Sequence, residues 1–359
     1  MTARVVLVLG ASTGGIGRHV ASLAAGLAGR GVDVAVVGPA ATRERFGFAG
    51  TFVPVEVSAG PRAVPALRRA FATLAPAVVH AHGLRAGLVA GWARPASVPL
   101  VVTWHNAVLA GGLRGQLHRL LERRVARLAD VTLGASADLV ARAREVGGRD
   151  VRPGPVAAPD LAPPARPADQ VREELCAAPG QPVILSVGRL HPQKGYDVLV
   201  AAAARWRDRN PAPVVAVAGT GPAYMRLAAQ VSTSRAPVLL LGHRTDIPDL
   251  LAAADLAVVT SRWEARQLFA QEALRAGVPL VATRVGGLPE LVGDAAVLVP
   301  PGEPDALDAA VTALLDDPER RAGLALRGRE RAAGWPTEEQ TLDLVRALYT
   351  ELTGLPVGT

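Results

Sequence analysis

The apolar runs in this chain carry no polar alternation, and that restricts the fold more than any other feature. Arg4-Val-Val-Leu-Val-Leu9 is the first, and comparable strand-like runs follow at 32–37, 77–80, 99–103 and 131–133. A second set begins at Pro182-Val-Ile-Leu-Ser-Val187 and continues near 213–217, 237–241, 256–260, 279–282 and 296–299. A strand with one wet face alternates apolar and polar residues; a strand covered by helices on both faces does not. The stretches between the runs have helical periodicity, so the pattern is βαβα, the signature of doubly wound parallel sheets.

The two sets are separated by a proline-rich segment, Pro153-Gly-Pro-Val-Ala-Ala-Pro159 and then Ala162-Pro-Pro-Ala-Arg-Pro167. Such a run can be neither helix nor central strand and predicts a linker over 153–169. With 359 residues, half of them apolar, each side can bury its own core. The expected organisation is an N-terminal domain over 1–165 and a second over 170–336. Trp335-Pro336 breaks the last helical region, and 337–353 reads as one more amphipathic helix. Two doubly wound halves would face a central cleft with the C-terminal ends of their strands, where such sheets bind ligands.

Composition excludes several classes. Cys176 is the only cysteine, so no intrachain disulfide or cysteine-based metal cluster can form. The N-terminus enters a strand at once, leaving no room for a signal peptide, and no apolar run approaches the ~18 residues of a membrane span. The expectation is a cytoplasmic chain, soluble or peripheral at the inner face of a membrane. The formal charge of +7 suits a basic surface, but aromatics are few and no nucleic-acid module is recognisable, so nucleic acid is not expected as a partner. Segment 113–128 reads as a basic amphipathic helix, with Leu113, Leu117, Leu120, Leu121, Val125 and Leu128 on one stripe and five arginines around it. It is either an ordinary packed helix or a contact for anionic lipid.

Two motifs suggest chemistry that the rest of the chain does not support. Val8-Leu-Gly-Ala-Ser-Thr-Gly-Gly-Ile-Gly-Arg-His19 resembles a dinucleotide loop. However, the second strand ends Val36-Val37-Gly38 with no acidic side chain for a ribose, and no Tyr-x-x-x-Lys pair exists. His80-x-His82 puts two imidazoles on one strand face, as a zinc site does, but no neighbouring cysteine or carboxylate completes a set, and no metal is expected.

Lys194 is the only lysine among 39 basic residues. It lies in Ser186-Val-Gly-Arg-Leu-His-Pro-Gln-Lys-Gly-Tyr-Asp197, on the loop between a strand and a helix. Arg189 and Lys194 can straddle a diphosphate there, unless they are merely paired in a structural salt bridge. The second informative stretch is Ser261-Arg-Trp-Glu264-Ala-Arg-Gln-Leu-Phe-Ala-Gln-Glu272. Glu264 falls on a strand-to-helix loop and Glu272 inside the helix, whose N-terminus favours an anion. Two carboxylates beside a phosphate site are tolerable when each binds hydroxyls, as on a pyranose and a ribose.

Together these segments resemble the family 4 glycosyltransferases of the GT-B fold, over nearly the whole chain. Gly14-Gly15 matches the N-terminal glycine loop; Val79-His-Ala-His82 and Thr103-Trp-His-Asn106 match strand ends. Gly188-Arg-Leu-His-Pro-Gln-Lys-Gly195, Gly219-Thr-Gly-Pro222, the Glu-x7-Glu pair Glu264 and Glu272, and Gly286-Gly-Leu-Pro-Glu290 match the second domain. The resemblance, together with an arginine-rich usage of GC-rich genomes, implies a bacterial enzyme of actinobacterial type. It implies a retaining, metal-independent transfer from a nucleotide-diphosphate sugar, a UDP- or GDP-sugar, to an acceptor it does not specify. Arg189 and Lys194 would hold the leaving diphosphate, Glu272 the ribose, and Glu264 the transferred sugar, which His105 approaches from the first domain. Gly14, Gly15, Arg266, Gln267 and Leu268 would complete the donor site, and the C-terminal helix over 337–359 would cross back onto the N-terminal domain. Where the family usually has a Gly-x-Gly-like segment, this chain has Ala265-Arg266-Gln267. That departure keeps open a non-catalytic GT-B binding protein; an NAD(P)-dependent oxidoreductase is the third reading.

Overall fold

The computed structural model describes residues 4–12, 14–107, 112–154, 156–157, 161–354 and 356. The chain divides into two compact units, one formed by Met1–Ala158 with Pro336–Thr359 and the other by Pro159–Trp335. Residues 155 and 158–160 of the expected linker lie outside the described residues.

The first unit holds a seven-stranded parallel sheet: β1 (Arg4–Leu9), β2 (Asp33–Gly38), β3 (Thr51–Pro54), β4 (Val78–His82), β5 (Leu100–Trp104), β6 (Val131–Gly134) and β7 (Val151–Pro153). Their order across the sheet is β3-β2-β1-β4-β5-β6-β7, so the direction of winding reverses between β1 and β4. Two of these strands go beyond the sequence reading. β3 and β7 are the edges, only four and three residues long, and both end in proline, which a strand tolerates only where an N–H is not needed.

One face of this sheet is closed by the helix Gly15–Gly29 and by the last helix, Glu338–Thr353. Leu342, Val345, Leu348 and Tyr349 of that last helix join Val5, Leu7, Leu9, Val20, Leu23 and Leu27 in one core. A capping box starts it: Thr337 Oγ1 accepts from the Gln340 N–H at 3.1 Å, and Gln340 Oε1 accepts from the Thr337 N–H at 3.0 Å. Arg30 bridges to Glu339 and Asp343, and Arg152 to Glu351, fixing the helix at both ends. The C-terminal segment thus returns to the first unit.

The second unit is a six-stranded parallel sheet: β8 (Val183–Val187), β9 (Val214–Ala218), β10 (Val238–Gly242), β11 (Leu256–Val259), β12 (Leu280–Thr283) and β13 (Ala296–Val299). The order is β10-β9-β8-β11-β12-β13, and the winding reverses between β8 and β11. Separate apolar cores cover its two faces, which explains strands without polar alternation.

Candidate active site

In open parallel sheets, ligands settle at the C-terminal strand ends where the winding reverses, because the outgoing loops part there. In the second unit that place lies between β8 and β11, and the two informative sequence segments are the loops that leave these strands.

The loop after β8 runs from Gly188 to Gly195 and is held against the loop after β11. Thr260 Oγ1 donates to the Lys194 carbonyl at 2.9 Å, the Arg262 N–H donates to the Gln193 carbonyl at 2.7 Å, and Gln193 Nε2 donates to the Trp263 carbonyl at 3.0 Å. Gly195 turns the chain into the next helix with φ of 64°, and a Cβ there would sit 2.1 Å from the Thr260 carbonyl oxygen. Only glycine permits both that dihedral and that approach. Fixing the loop this way brings Lys194 Nζ to 2.5 Å from Glu264 Oε1. Ser261 Oγ donates to the same oxygen at 2.6 Å. Burial and the nearby Glu264 carboxylate push the Tyr196 phenol up, so it remains protonated behind this pair.

The two residue assignments made separately in the sequence, Lys194 and Glu264, thus meet in one ion pair. Lys194 is paired with Glu264 because two loops tied by these three backbone-anchored hydrogen bonds deliver both side chains to one spot. Arg189 differs: it is exposed and takes part in no ion pair among the described residues.

Glu264 is only 8% exposed. Its own carbonyl accepts from the Gly287 N–H at 2.8 Å, and Gly286, with φ of 51°, would carry a Cβ 2.0 Å from that carbonyl. The Gly286-Gly287 turn thus seats the Glu264 loop. Gln267 is the N-cap of the helix Leu268–Ala276: its Oε1 accepts from the Ala270 N–H at 2.7 Å. A capping role occupies the side chain proposed for the donor, so its contribution to a ligand would come from backbone. Leu268 and the Glu272 side chain further along are half-buried. Burial pulls the Arg266 guanidinium below its ordinary value, opposed by Glu290.

The first unit has its own reversal between β1 and β4. Gly14 and Gly15 open the helix after β1; Gly14 is the N-cap and both are exposed, so the backbone there is accessible. Asp33, the acidic residue of β2, sits at the strand's start, where it pairs with Arg4 at 2.7 Å and cannot meet a ribose at the opposite end. His82 ends β4 and His105 follows β5. His82 Nδ1 lies 3.1 Å from His105 Nε2, and His19 closes a group of three imidazoles. His80, the other half of the predicted histidine pair, is committed elsewhere: its ring nitrogens contact Tyr349 Oη and Thr103 Oγ1, each at 2.6 Å. His19 had no signal in spacing, since only the fold brings it to His82. Ser261 was also missed, although it stands only three residues before Glu264 in the quoted segment.

Comparison with known proteins identifies the family of both units. The model described as "Glycosyl transferase 4-like domain" matches residues 14–159, and "Glycosyl transferases group 1" matches 181–317. The D-inositol 3-phosphate glycosyltransferase of Nocardia farcinica is 33% identical, over 78% of this chain and 68% of its own. This chain belongs to the family 4 glycosyltransferases. The 2-deoxystreptamine N-acetyl-D-glucosaminyltransferase of Streptomyces fradiae is 32% identical over 86% of this chain and 84% of that one. The aligned stretch spans about two thirds of several of the curated relatives it matches. Among solved structures, sucrose-phosphate synthase from Thermosynechococcus elongatus superposes with a TM-score of 0.81 at 20% identity, covering 98% of this chain and 99% of that chain. As a family 4 glycosyltransferase the chain is an enzyme, with two parallel-sheet units of the GT-B kind.

The basic helix, Gly112–Leu128, does not bury its whole apolar stripe. Val125 is buried, Leu121 and Leu128 are half-buried, but Leu117 and Leu120 are 59% and 63% exposed beside exposed Arg119, Arg123 and Arg124. The Leu113 side chain lies outside the described residues. Among the described residues no helix is long and apolar enough to cross a membrane.

Proposed function

We propose that this glycosyltransferase is retaining and draws its sugar from a nucleotide-diphosphate donor, a UDP- or GDP-sugar. The observation that carries the reading is the Lys194–Glu264 pair at the reversal point of the second sheet, where a cation and a carboxylate share one place. A diphosphate arriving beside Arg189 competes for the ammonium. Its release leaves the Glu264 carboxylate, still held by Ser261, to accept from a hydroxyl of the transferred sugar. Glu272 is assigned to the ribose, and the N-terminal N–H groups around Arg266, Gln267 and Leu268 to phosphate and sugar oxygens. His105, neutral because burial holds its pKa well below the usual range, is assigned to the sugar as a hydrogen-bond partner. Gly14 and Gly15, exposed at the start of the helix after β1, are assigned to the donor through their backbone. Departure of the nucleotide diphosphate leaves negative charge on its terminal phosphate, which takes the acceptor's proton as the new bond forms on the same face. No metal is assigned to this step.

The names of two relatives contain a cyclitol, inositol phosphate and deoxystreptamine, which supports testing small polyhydroxylated acceptors first, and the name of a third, glycogen synthase, keeps a polysaccharide acceptor in the test. Exposed Leu117 and Leu120 among arginines support a peripheral contact with anionic lipid at the cytoplasmic face.

The deciding experiment is a melting screen of UDP-, GDP-, ADP- and dTDP-sugars, followed by product analysis with inositol phosphate, 2-deoxystreptamine and glycogen. A donor at ~100 times its Kd stabilises by roughly 2.7 kcal/mol. No shift with any nucleotide sugar, at concentrations that saturate related enzymes, would remove the donor assignment.

A further inference from the structure

Phe46, Phe48 and Phe52 are three of the five phenylalanines of the chain, and they cluster where the helix Ala40–Phe46 passes into the edge strand β3. Two glycines fix the path between them. Gly47, with φ of 59°, ends the helix. Gly50, with φ of 84°, passes so close to β2 that a Cβ would sit 2.3 Å from the Val34 carbonyl oxygen. Phe46 turns inward and fills the space that a Cβ on Gly17 would need. Phe48 and Phe52 stack with planes 5° apart and centroids 5.8 Å apart, and both stay half-buried at the open edge of the sheet.

These two rings line a cavity of about 560 Å³ together with Ala40, Arg43, Glu44 and Pro54. Small-molecule sites have volumes of ~300–1,000 Å³ and the same mixture of aromatic faces with a few polar groups. The Arg43 guanidinium stands over the Phe52 ring, 5.4 Å from its centroid, which holds the cation at the cavity wall. Arg43 and Glu44 are both exposed, and among the described residues neither has an ion pair or a side-chain hydrogen bond.

The composition of the wall selects among ligands. An acyl chain would cover the rings but strip water from Arg43 and Glu44 and give nothing back. A phosphate or other small anion would meet Glu44 beside Arg43 and leave the rings unused. A pyranose suits every group. Its C–H face carries slight positive charge towards the negative face of an aromatic ring, and its vicinal hydroxyls accept from a guanidinium and donate to a carboxylate.

We propose that this cavity is a second carbohydrate site, which takes one sugar unit of a neutral oligosaccharide. β2 and β1 stand between β3 and the reversal point of the sheet, so a unit held here is distinct from the sugar assigned to His105. Such a site anchors a glycan by a remote unit and raises the effective concentration of its other end. It depends on none of the donor or acceptor assignments.

The test uses the full chain with no nucleotide present. Maltoheptaose, cellohexaose and mannohexaose are each titrated and followed by saturation-transfer NMR and calorimetry. At least one should bind. Arg43→Ala and Glu44→Ala, both at exposed positions, should melt as the parent does and weaken that binding by at least about 10-fold, as the loss of a charged hydrogen bond does. Phe48→Ala should weaken it at least as much, and Phe48→Tyr, which keeps the aromatic face, should retain it. The proposal is overturned if none of the three oligosaccharides binds. It is equally overturned if Arg43→Ala or Glu44→Ala keeps parental affinity, since the glycan then sits elsewhere, or if these residues hold decanoate or inorganic phosphate and no oligosaccharide.

Discussion

Lys194 Nζ and Glu264 Oε1 are 2.5 Å apart, joining the loops that leave β8 and β11. The lysine is 21% exposed at its side chain and the glutamate 10%, so this is a partly desolvated pair rather than a surface one. It connects the two segments that sequence singled out separately, and it makes the charge of each the condition for placing the other. Developing charge on a departing diphosphate is stabilised by a preorganised ammonium more in the transition state than in the ground state. Lys194→Ala should lower kcat by roughly 10²–10³-fold. It should also lower Tm, since Glu264 then keeps only Ser261. Lys194→Arg retains charge but not shape or reach, and should restore activity only in part. Measured kcat for both variants, with melts, checks this. A folded Lys194→Ala turning over at the parental rate would show the pair to be structural alone.

The two glutamates should separate kinetically. Glu272→Ala removes contacts assigned to the ribose, present in both ground and transition states, and should raise donor KM with little change in kcat. Glu264→Ala removes the group assigned to the reacting sugar and should act mainly on kcat. Steady-state kinetics with varied donor decides; similar small effects from both would place them outside the site.

Gly195→Ala tests whether the loop packing sets the position of Lys194. The added Cβ would lie 2.1 Å from the Thr260 carbonyl and force a non-glycine residue to φ of 64°. Together these should cost at least about 1 kcal/mol in stability, and displacing the loop should lower kcat even in folded protein. A variant with parental melting and turnover would mean that the loop relaxes freely.

The parts of the fold legible in sequence are those where burial on two faces suppressed polar alternation. All the central strands were found that way. β3 and β7 escaped because they are only four and three residues long and end in proline, whereas the apolar edges β10 and β13 were legible. The site was legible wherever chemistry is concentrated in one segment, as at Lys194 and at Glu264 with Glu272. Sequence could not show that Lys194 and Glu264 face each other, because that depends on hydrogen bonds between two loops distant in the chain. The same limit hid His19 beside His82.

The segment leading into the second unit should be the acid-sensitive part of the molecule. Asp249 is 4% exposed and accepts from the Ala165 N–H at 2.6 Å and from Arg166 Nε at 2.9 Å. Arg166 also reaches Glu174 and Asp246, and Arg244 reaches the same two carboxylates. The Arg166 hydrogen bond, then that of Ala165, holds Asp249 below the ordinary carboxylate range. Arg244 does the same first for Asp246 and for Glu174. Since all three folded-state values are lowered, their stabilisation is complete above the unfolded values near 4 and is lost as pH falls through the folded ones. In Asp249→Asn the carbonyl can still meet Ala165, but the amide presents an N–H to Arg166, donor against donor. The variant should therefore melt below the parent near neutral pH. The gap should narrow as pH drops below about 4, because the parent loses what the variant never had. Tm measured from neutral pH down to about pH 3 for both proteins decides the matter. A gap that stays constant across that range would mean that the Asp249 charge contributes nothing and only its shape matters.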